Sequence, residues 1–564
     1  MTFTTRLHHL HDWFSFRRAN ANGRRAGRKA QAWFRPRLEV LEDRLAPATH
    51  TWTGLSATSS NWSDAANWDA AGAPVTGTLD NQLVFPAAAR QSNTNDLNNL
   101  FATSIQFTAP GYVLGGNVIA LGGDTTISAA ISSGTDTIAL PIDQFYFSGG
   151  NDLSAYHYNH VIDVASGGTL AISGQINGFF GNLNVGGVLF NPNLLRKTDA
   201  GTLVLSNGSN SWSGTTFLDA GTLRQGAAGA IPGSTCVQVA AGAVLDLGGF
   251  ATSLGCVTGA GNISVTTGSL TVGADNSSST FGGVLSGAGG LTKVGTGRLT
   301  LAAVDTYTGT TSILAGTLAQ GIDNAVPPNP CIVAAGATFD LNGFNAALGS
   351  LSGGGTVSYP PTPIRTLTVG LDNSSTTFSG VIQGGMNLTK VGTGAFNLTG
   401  VNTYTGATSI YAGAFLVNGA LASVSAVTVS GNSAVLGGTG TVGAVLVSNG
   451  GTISPGDAPG ILHTGPVTWG AGSVYRAELN GPNAGSGYDQ LQVSGTADLS
   501  AGPTLNLSLG FVPVAGQVFT ILQAHEVIGR FAGLDDGSAV VLNGLTFHIH
   551  YTDKSVFLTF GTED

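Results

Sequence analysis

The most regular feature of this chain is a short alternation of apolar and small polar residues that returns about every 20 residues. Thr-Leu-Val-Leu at 202–205 and Thr-Ser-Ile-Leu at 311–314 put every second side chain on one face, the period of a half-buried β-strand. A Gly followed closely by Leu or Phe marks the returns at Leu203, Leu223, Leu245, Leu299, Leu318, Phe339, Phe396 and Phe415. No helical period separates them, so we predict a chain coiled into stacked rungs that pair their backbones at about 4.8 Å.

A longer repeat contains the short one. Three segments, 195–223, 291–318 and 388–415, align over most of their length. Their aligned lysines are Lys197, Lys293 and Lys390. These lysines are 96 and 97 residues apart, and the connecting sequences match as well, so the whole long unit is duplicated.

The three segments resemble the autotransporter-associated β-strand repeat, also called the passenger-associated transport repeat. The pattern is Leu-x-Lys-x-Gly-x-Gly, then Tyr-x-Gly-x-Thr, then Ala-Gly-x-Leu. The matching residues are Lys293, Gly295, Gly297, Tyr307, Gly309, Thr311, Gly316 and Leu318 in the second copy, and Lys390, Gly392, Gly394, Tyr404, Gly406, Thr408, Gly413 and Phe415 in the third. The first copy departs with Asp199 for the first Gly and Trp212 for the Tyr. The resemblance implies a large secreted or surface passenger whose repeats assist export.

Composition favours strands and turns, and it limits the partners. Gly supplies 85 of 564 residues, while charged residues are only 9% against a typical quarter. Residues 1–47 hold 10 Lys+Arg and 4 Asp+Glu, whereas the rest of the chain holds 11 and 27. This acidic body has no basic stripe to neutralise phosphates, so we do not expect nucleic acid as a partner. No apolar run reaches 18 residues, so we expect no transmembrane helix.

The basic leader, residues 1–47, is interpreted as an export or sorting element. A disordered tail, or contact of its Arg and Lys residues with nucleic acid or anionic lipid, is the alternative. It lacks the apolar core of a secretory signal peptide, so the export route stays open. Residues 34–48 are similar to the Leu-Glu-x-Leu-Glu-x-Arg element at the start of large bacterial surface proteins, or they form a one-turn amphipathic helix without special meaning.

Tryptophans cluster just after the leader, at Trp52, Trp62 and Trp68. The first rung of a solenoid presents an open edge, so we predict that these indoles plug the core there. The alternative is an aromatic platform for glycan rings. The residues that would extend that platform are Phe145, Tyr146, Phe147, Tyr156 and Tyr158.

Few other residues suggest chemistry. Cys236, Cys256 and Cys331 form no C-x-x-C pair; a disulfide between the first two is one hypothesis, and three small buried hydrophobes is the other. His548 and His550 share a strand face, but no third metal ligand accompanies them.

The recurring aspartates pair as Asp246 with Asp340 and Asp275 with Asp372. Because they recur with the repeat, we interpret them as turn-forming residues, with calcium binding as the alternative. We therefore predict no catalytic residues, no metal and no cofactor.

These observations predict an all-β fold, a right-handed parallel β-helix or solenoid with a C-terminal antiparallel β module or cap. The predicted parts are the leader 1–47, a cap and first rungs at 48–190, a solenoid with three long repeats at 191–465, and a β-sheet module at 466–564. We expect a non-catalytic, extracellular or cell-surface structural or adhesive protein, with cell-envelope components, glycans or a second copy as partners. A polysaccharide-active lyase or hydrolase, or a glycan-binding module, is the alternative.

Overall fold

The computed structural model describes residues 48–78, 81–143, 159–178, 183–185, 188–190 and 194–561. The leader and the aromatic residues at 145–158 lie outside the described residues, so the predictions made for them stay predictions. Within the described part of the chain the helical content is one 3-10 turn, Ala65–Asn67, and nearly all other regular structure is β-strand. The all-β prediction is confirmed.

Most strands belong to four long parallel ladders, each joining strands from successive coils of the chain. Ladder A contains Ala48–Thr51, Asn81–Phe85, Leu100–Phe107, Ile119–Ala129, Ile142–Asp143, Asn159–Val164, Ile176–Asn177, Leu194–Thr198, Thr216–Leu218, Cys236–Val239, Cys256–Gly259, Ser279–Phe281, Arg298–Leu301, Thr317–Gln320, Thr338–Asp340, Thr356–Ser358 and Val381–Gln383. Ladder B contains Ser92–Asn95, Val113–Gly116, Thr135–Ile138, Thr169–Ile172, Thr202–Leu205, Thr222–Gln225, Val244–Asp246, Asn262–Ser264, Leu285–Gly287 and Thr306–Tyr307.

The other two ladders carry the C-terminal half. Ladder C contains Thr252–Leu254, Leu270–Val272, Leu291–Lys293, Thr311–Ile313, Pro330–Val333, Ser350–Gly353, Thr376–Phe378, Phe396–Leu398, Gly413–Val417, Ala434–Gly438, Thr452–Pro455, Val474–Leu479 and Thr504–Leu509. Ladder D contains Ala346–Leu348, Thr366–Val369, Asn387–Lys390, Thr408–Ile410, Val427–Ser430, Val445–Ser448, Val467–Trp469, Thr496–Leu499 and Glu526–Gly529. The chain is thus a parallel β-solenoid, as predicted.

The alternating apolar and polar residues of each strand point into the core and towards the solvent, respectively. In Arg298–Leu301, for example, Leu299 and Leu301 are buried, while Arg298 and Thr300 are partly exposed. The inward side chains of successive coils lie in register, as Leu299 does with Leu318. Buried residues from Trp52 to Leu558 join in one continuous core. Since a single coil cannot cover its own inner face, stacking creates this core.

The three long repeats start on three different ladders. Lys197 lies in Leu194–Thr198 of ladder A, Lys293 in Leu291–Lys293 of ladder C, and Lys390 in Asn387–Lys390 of ladder D. Along ladder A, Lys197 is followed in register by the buried residues Leu218 and Val239 rather than by another lysine. A repeat of 96 or 97 residues therefore spans four coils and part of a fifth. Because the number of coils is not whole, the next repeat begins on a different ladder.

The C-terminal segment differs in part from the predicted antiparallel module. Ladders C and D continue past residue 466, as far as Thr504–Leu509 and Glu526–Gly529. A terminal sheet then combines both pairings. Its strands are Ile461–Thr464, Gln490–Val493, Val518–Gln523, Ser555–Phe560, Leu545–Tyr551 and Ala539–Leu542. The first three pair in parallel and the rest antiparallel, so the end of the solenoid and its cap share one sheet.

Two smaller features complete the fold. Leu183–Val185 and Val188–Phe190 pair as a short antiparallel hairpin. Cys236 and Cys256 face each other on adjacent strands of ladder A, with their Cα atoms 4.3 Å apart, and form a disulfide. The hypothesis of a disulfide is therefore correct for Cys236 and Cys256. Cys331 is a free, buried cysteine, as the hypothesis of small buried hydrophobic residues predicted. The disulfide joins two neighbouring coils directly.

Candidate functional site

The residues that the repeat pattern singles out form a buried hydrogen-bonding motif at one corner of a coil. Lys293 is 1% exposed, and its Nζ donates to the carbonyl oxygens of Val294 at 2.5 Å, Gly295 at 2.9 Å and Ala315 at 3.4 Å. The first two carbonyls belong to the turn after the lysine, and the third belongs to the next coil. The ammonium group therefore closes a turn and links two coils at once.

The other copies repeat this geometry closely. Lys390 Nζ donates to Val391, Gly392 and Ala412 at 2.7, 2.9 and 3.0 Å. Lys197 Nζ donates in the same way to Thr198, Asp199 and Ala220 at 2.5, 2.7 and 3.4 Å. The three sites lie on three ladders but build the same local structure, so the motif is a property of the coil rather than of one face.

Burial affects the charge on these lysines. Desolvation lowers the pKa of Lys197 and Lys390 to about 8 and also lowers the pKa of Lys293. Asp163 and Asp199 oppose the lowering at Lys197, and Asp275 opposes it at Lys293. An ammonium group supplies three donors, and each lysine uses them on three carbonyls. The three donors of each ammonium group are therefore occupied by backbone carbonyls of its own turn and of the next coil.

The first copy departs from the pattern without losing its geometry. Gly295 and Gly392 have φ of +66° and +67°, and Asp199, in the same position, has φ of 60°. Aspartate is among the residues that tolerate this left-handed conformation, so the substitution keeps the turn. The sequence motif is therefore broader than its glycines suggest.

The aromatic position behaves in the same way. Tyr307 and Tyr404 are buried, and each hydroxyl lies 2.6 Å from the hydroxyl of Thr311 or Thr408, four residues later. In the first copy Trp212 replaces the tyrosine, and its Nε1 donates to Thr216 Oγ1 at 2.9 Å. Tryptophan keeps both the ring in the core and the polar link, because its N–H substitutes for the phenol.

One further repeated position was not singled out in the sequence. The residue two before each aromatic is Asn210, Asp305 or Asn402, and its Oδ1 accepts a hydrogen bond from a backbone N–H of the preceding coil at 2.8–2.9 Å. Each asparagine also donates from Nδ2 to a carbonyl oxygen, whereas Oδ2 of Asp305 is buried without a partner in the described part of the chain. Burial raises the pKa of Asp305 to about 7. The aligned repeats have Asn, Asp and Asn at this position, so the sequence could have identified it.

The recurring aspartates form turns. Asp246 and Asp340 accept a hydrogen bond from the backbone N–H two residues later, at 2.9 Å each, and Asp275 and Asp372 do the same at 2.9 and 2.8 Å. Within the described residues no group of three His, Cys, Asp or Glu is placed to hold a metal ion. Three of the aspartates also contact a neighbouring coil: Asp246 lies 3.5 Å from Arg224, Asp340 accepts from Arg298 at 2.6 Å, and Asp372 accepts from Ser350 Oγ at 2.7 Å.

The predicted aromatic cluster lies inside the core. Trp52 and Trp62 are fully buried, Trp68 is 4% exposed, and the ring of Trp68 packs edge-on against both others with centroids 5.1 and 5.9 Å apart. Every indole N–H is used, since Trp52 donates to Arg90 O, Trp62 to Asn93 Oδ1 and Trp68 to Trp62 O. The rings thus plug the first coils, and a sugar ring could stack on them only after the cap opened.

His548 and His550 are not joined by a third metal-binding side chain among the described residues. His548 Nδ1 lies 3.2 Å from Gly537 O, and His550 stacks on Phe557 and lies 3.8 Å from Asp536. Both imidazoles therefore take part in local packing of the terminal sheet.

The fold and the motif together define a passenger-like β-solenoid. The family model described as the passenger-associated-transport-repeat matches residues 195–224, 291–319 and 388–417, the three segments that contain the buried lysines. The chain therefore carries three repeats of this family, as its sequence pattern indicated.

Two known proteins are similar to parts of the chain. An adhesin autotransporter, BmaC, from Brucella suis biovar 1 is 32% identical over 287 residues, which cover 49% of this chain and 8% of the relative. An extracellular serine protease from Serratia marcescens is 32% identical over 194 residues, which cover 32% of this chain and 18% of the relative. The chain spans less than a fifth of the length of either relative.

No described residue belongs to a helix with the length and apolarity needed to cross a bilayer.

Proposed function

We propose that this protein is a passenger-like, non-catalytic β-solenoid that acts outside the cell or at its surface as a structural or adhesive element. The observation that carries the proposal is the repeat itself: three matched segments build the same buried lysine motif and stack into one continuous core. The lysines of the motif, Lys197, Lys293 and Lys390, donate their hydrogen bonds to carbonyl oxygens of their own turn and of the next coil. An adhesin autotransporter and an extracellular protease among the similar proteins support an extracellular location.

The location is tested with the full chain in its native host. An antibody raised against the solenoid is used on intact cells, on permeabilised cells and on the culture medium, and intact cells are also treated with proteinase K. We expect signal in the medium or on intact cells, with the cell-bound signal removed by the protease. Signal that appears only after permeabilisation, and that survives protease on intact cells, would contradict the proposal.

The partial similarity to a serine protease supplies a second candidate function, which a separate experiment addresses. The purified chain is incubated with a fluorophosphonate probe, which labels activated serine hydroxyls, and with casein as substrate. We expect neither labelling nor cleavage, because the similarity covers only 18% of the protease. Covalent labelling that is lost in one Ser→Ala variant would replace the non-catalytic proposal with a protease.

A further inference from the structure

A cleft with a volume of about 640 Å³ lies near the C-terminal end of the solenoid. It runs along the corner at which the chain passes from a strand of the terminal sheet to the following strand of ladder D. Its lining comes from four successive coils, at 423, 441–444, 463–466 and 492–494, and from 523–525 beyond them. Binding sites for small molecules commonly have volumes of 300–1,000 Å³, so the cleft has the size of a ligand site.

One wall of the cleft is a column of polar side chains in register. Thr441 pairs with His463, His463 with Gln492, and Gln492 with Gln523, along successive parallel strands. Neighbouring strands in a sheet are about 4.8 Å apart, so hydrogen-bonding groups recur at that spacing along the corner. Thr441, His463 and Gln523 are exposed, and Gln492 is partly exposed.

A second polar column follows two residues after the first. Ser494 comes two residues after Gln492, and His525 comes two residues after Gln523, and both are exposed. Within the described part of the chain the side chains of Thr441, His463, Ser494, Gln523 and His525 hydrogen bond to no other protein group. Gln492 differs from these five, because its Nε2 donates to Gln490 Oε1 at 2.8 Å. The corner therefore presents five side chains with unused donors or acceptors, beside a glutamine that is already partly paired.

The character of the lining restricts the class of ligand. It contains hydroxyl, amide and imidazole groups over an apolar floor that includes Val442, Ala444 and Val493, and none of its residues is Asp, Glu, Lys or Arg. A charged polymer would lose hydration here without gaining a counter-charge. The backbone offers no open edge to an extended peptide, since Ser494 N is paired with Thr464 O and His525 N with Gly495 O. A flexible ligand rich in uncharged hydroxyl groups matches the cleft best.

We propose that this corner cleft binds a neutral oligosaccharide, held by the two polar columns on either side of the apolar floor. The inference rests on the proposed adhesive function for its biological meaning. The binding itself is a property of the purified chain, so it is measured independently of where the protein is located, and the two proposals can fail separately.

The test is isothermal titration calorimetry of the purified full chain at pH 8. The probes are hexamers of β-1,4-glucose, α-1,4-glucose and β-1,4-N-acetylglucosamine, with hexagalacturonate as the acidic counterpart. We expect at least one neutral hexamer to bind and hexagalacturonate to bind at least tenfold more weakly. Binding by none of the neutral hexamers, or equal or tighter binding of hexagalacturonate, would overturn the proposal.

Variants locate the binding. The double variant Gln492→Ala/Gln523→Ala removes two amides of the first column, and we expect it to weaken binding at least tenfold. Gln238→Ala is the matched control, because Gln238 is also exposed on a ladder strand but lies many coils away. Ser494→Trp fills the cleft from an exposed position and is expected to abolish binding while circular dichroism stays unchanged. Unaltered affinity in both cleft variants places the ligand elsewhere and rejects the cleft.

Discussion

At the scale of single residues, the chain keeps its polar groups satisfied inside a core that has very little charge. Lys197, Lys293 and Lys390 are buried yet each donates to three carbonyl oxygens, so the cost of desolvating the ammonium is offset by charge-assisted hydrogen bonds. Asp305 is the exception among the repeated polar positions, because one of its oxygens has no partner in the described part of the chain. A protonated carboxyl could donate from that oxygen, as Asn402 donates from its amide.

Asp305→Asn is therefore expected to remove part of the pH dependence of stability. The pKa of Asp305 is raised from 3.8 to about 7 in the folded chain, so the folded state holds a proton that the unfolded state has released. The free energy of unfolding then falls as pH rises from about 4 to about 7, by up to about 1.4 kcal/mol per unit. Urea unfolding should give similar stabilities for both proteins at pH 4, and a more stable Asp305→Asn variant at pH 8.

The reciprocal change Asn402→Asp provides the matched control, since it places a carboxyl at the same position of the third repeat. It should introduce a new loss of stability between pH 4 and pH 8. Equal effects of either substitution at both pH values would show that ionisation at this position does not matter.

At the scale of strands and turns, glycine decides how closely successive coils can approach. A Cβ on Gly295 would lie 1.9 Å from the carbonyl oxygen of Gly273 in the preceding coil, and Gly392 has the same relation to Gly370. The strands themselves were largely predictable. The alternating segment at 202–205 is the strand Thr202–Leu205, and the one at 311–314 is the strand Thr311–Ile313, which ends one residue earlier. Alternation identifies strands well because one face of each is buried.

Gly295→Ala is expected to destabilise the chain much more than Gly336→Ala. Both glycines have positive φ, +66° and +81°, so each substitution costs about 1–2 kcal/mol for the left-handed backbone. Only at Gly295 would the new methyl group overlap another coil, because nothing lies within 4 Å of a Cβ on Gly336. The overlap should add about 1–3 kcal/mol, measured as the difference in urea unfolding at one pH. Equal destabilisation would mean that coil contact is not what requires glycine at position 295.

At the scale of the whole molecule, the described solenoid is a one-dimensional stack in which each coil contacts mainly its neighbours. Its two ends are closed differently. Tryptophans fill the first coils, whereas the last coils are covered by strands that turn antiparallel within the terminal sheet, with Phe519, Phe547 and Leu558 fully buried. The two ends of the core are therefore filled by different kinds of structure.

A substitution at one end should therefore loosen that end first. Trp68→Ala removes a buried indole and should cost about 3–5 kcal/mol, with faster hydrogen exchange concentrated in the coils between 48 and 129. Phe547→Ala is the counterpart at the other end and should increase exchange mainly between 461 and 560. Hydrogen exchange followed by mass spectrometry distinguishes the two patterns. Uniform acceleration along the chain in either variant would show that the solenoid opens as one cooperative unit.

The amino-acid sequence by itself determined the class of fold and the local form of each coil. Inward and outward positions follow from an alternation of period two, and the matched lysine, glycine and aromatic residues act within one coil and its neighbour, so their spacing along the chain is sufficient to recognise them. The tertiary structure decided what depends on accumulated coil length. The ladder on which each repeat starts, the pairing of Cys236 with Cys256, and the meeting of Gln492, Gln523 and Ser494 at one corner all require the exact number of residues in every intervening coil. Small differences in coil length add up over a long stack, and the sequence pattern does not reveal them.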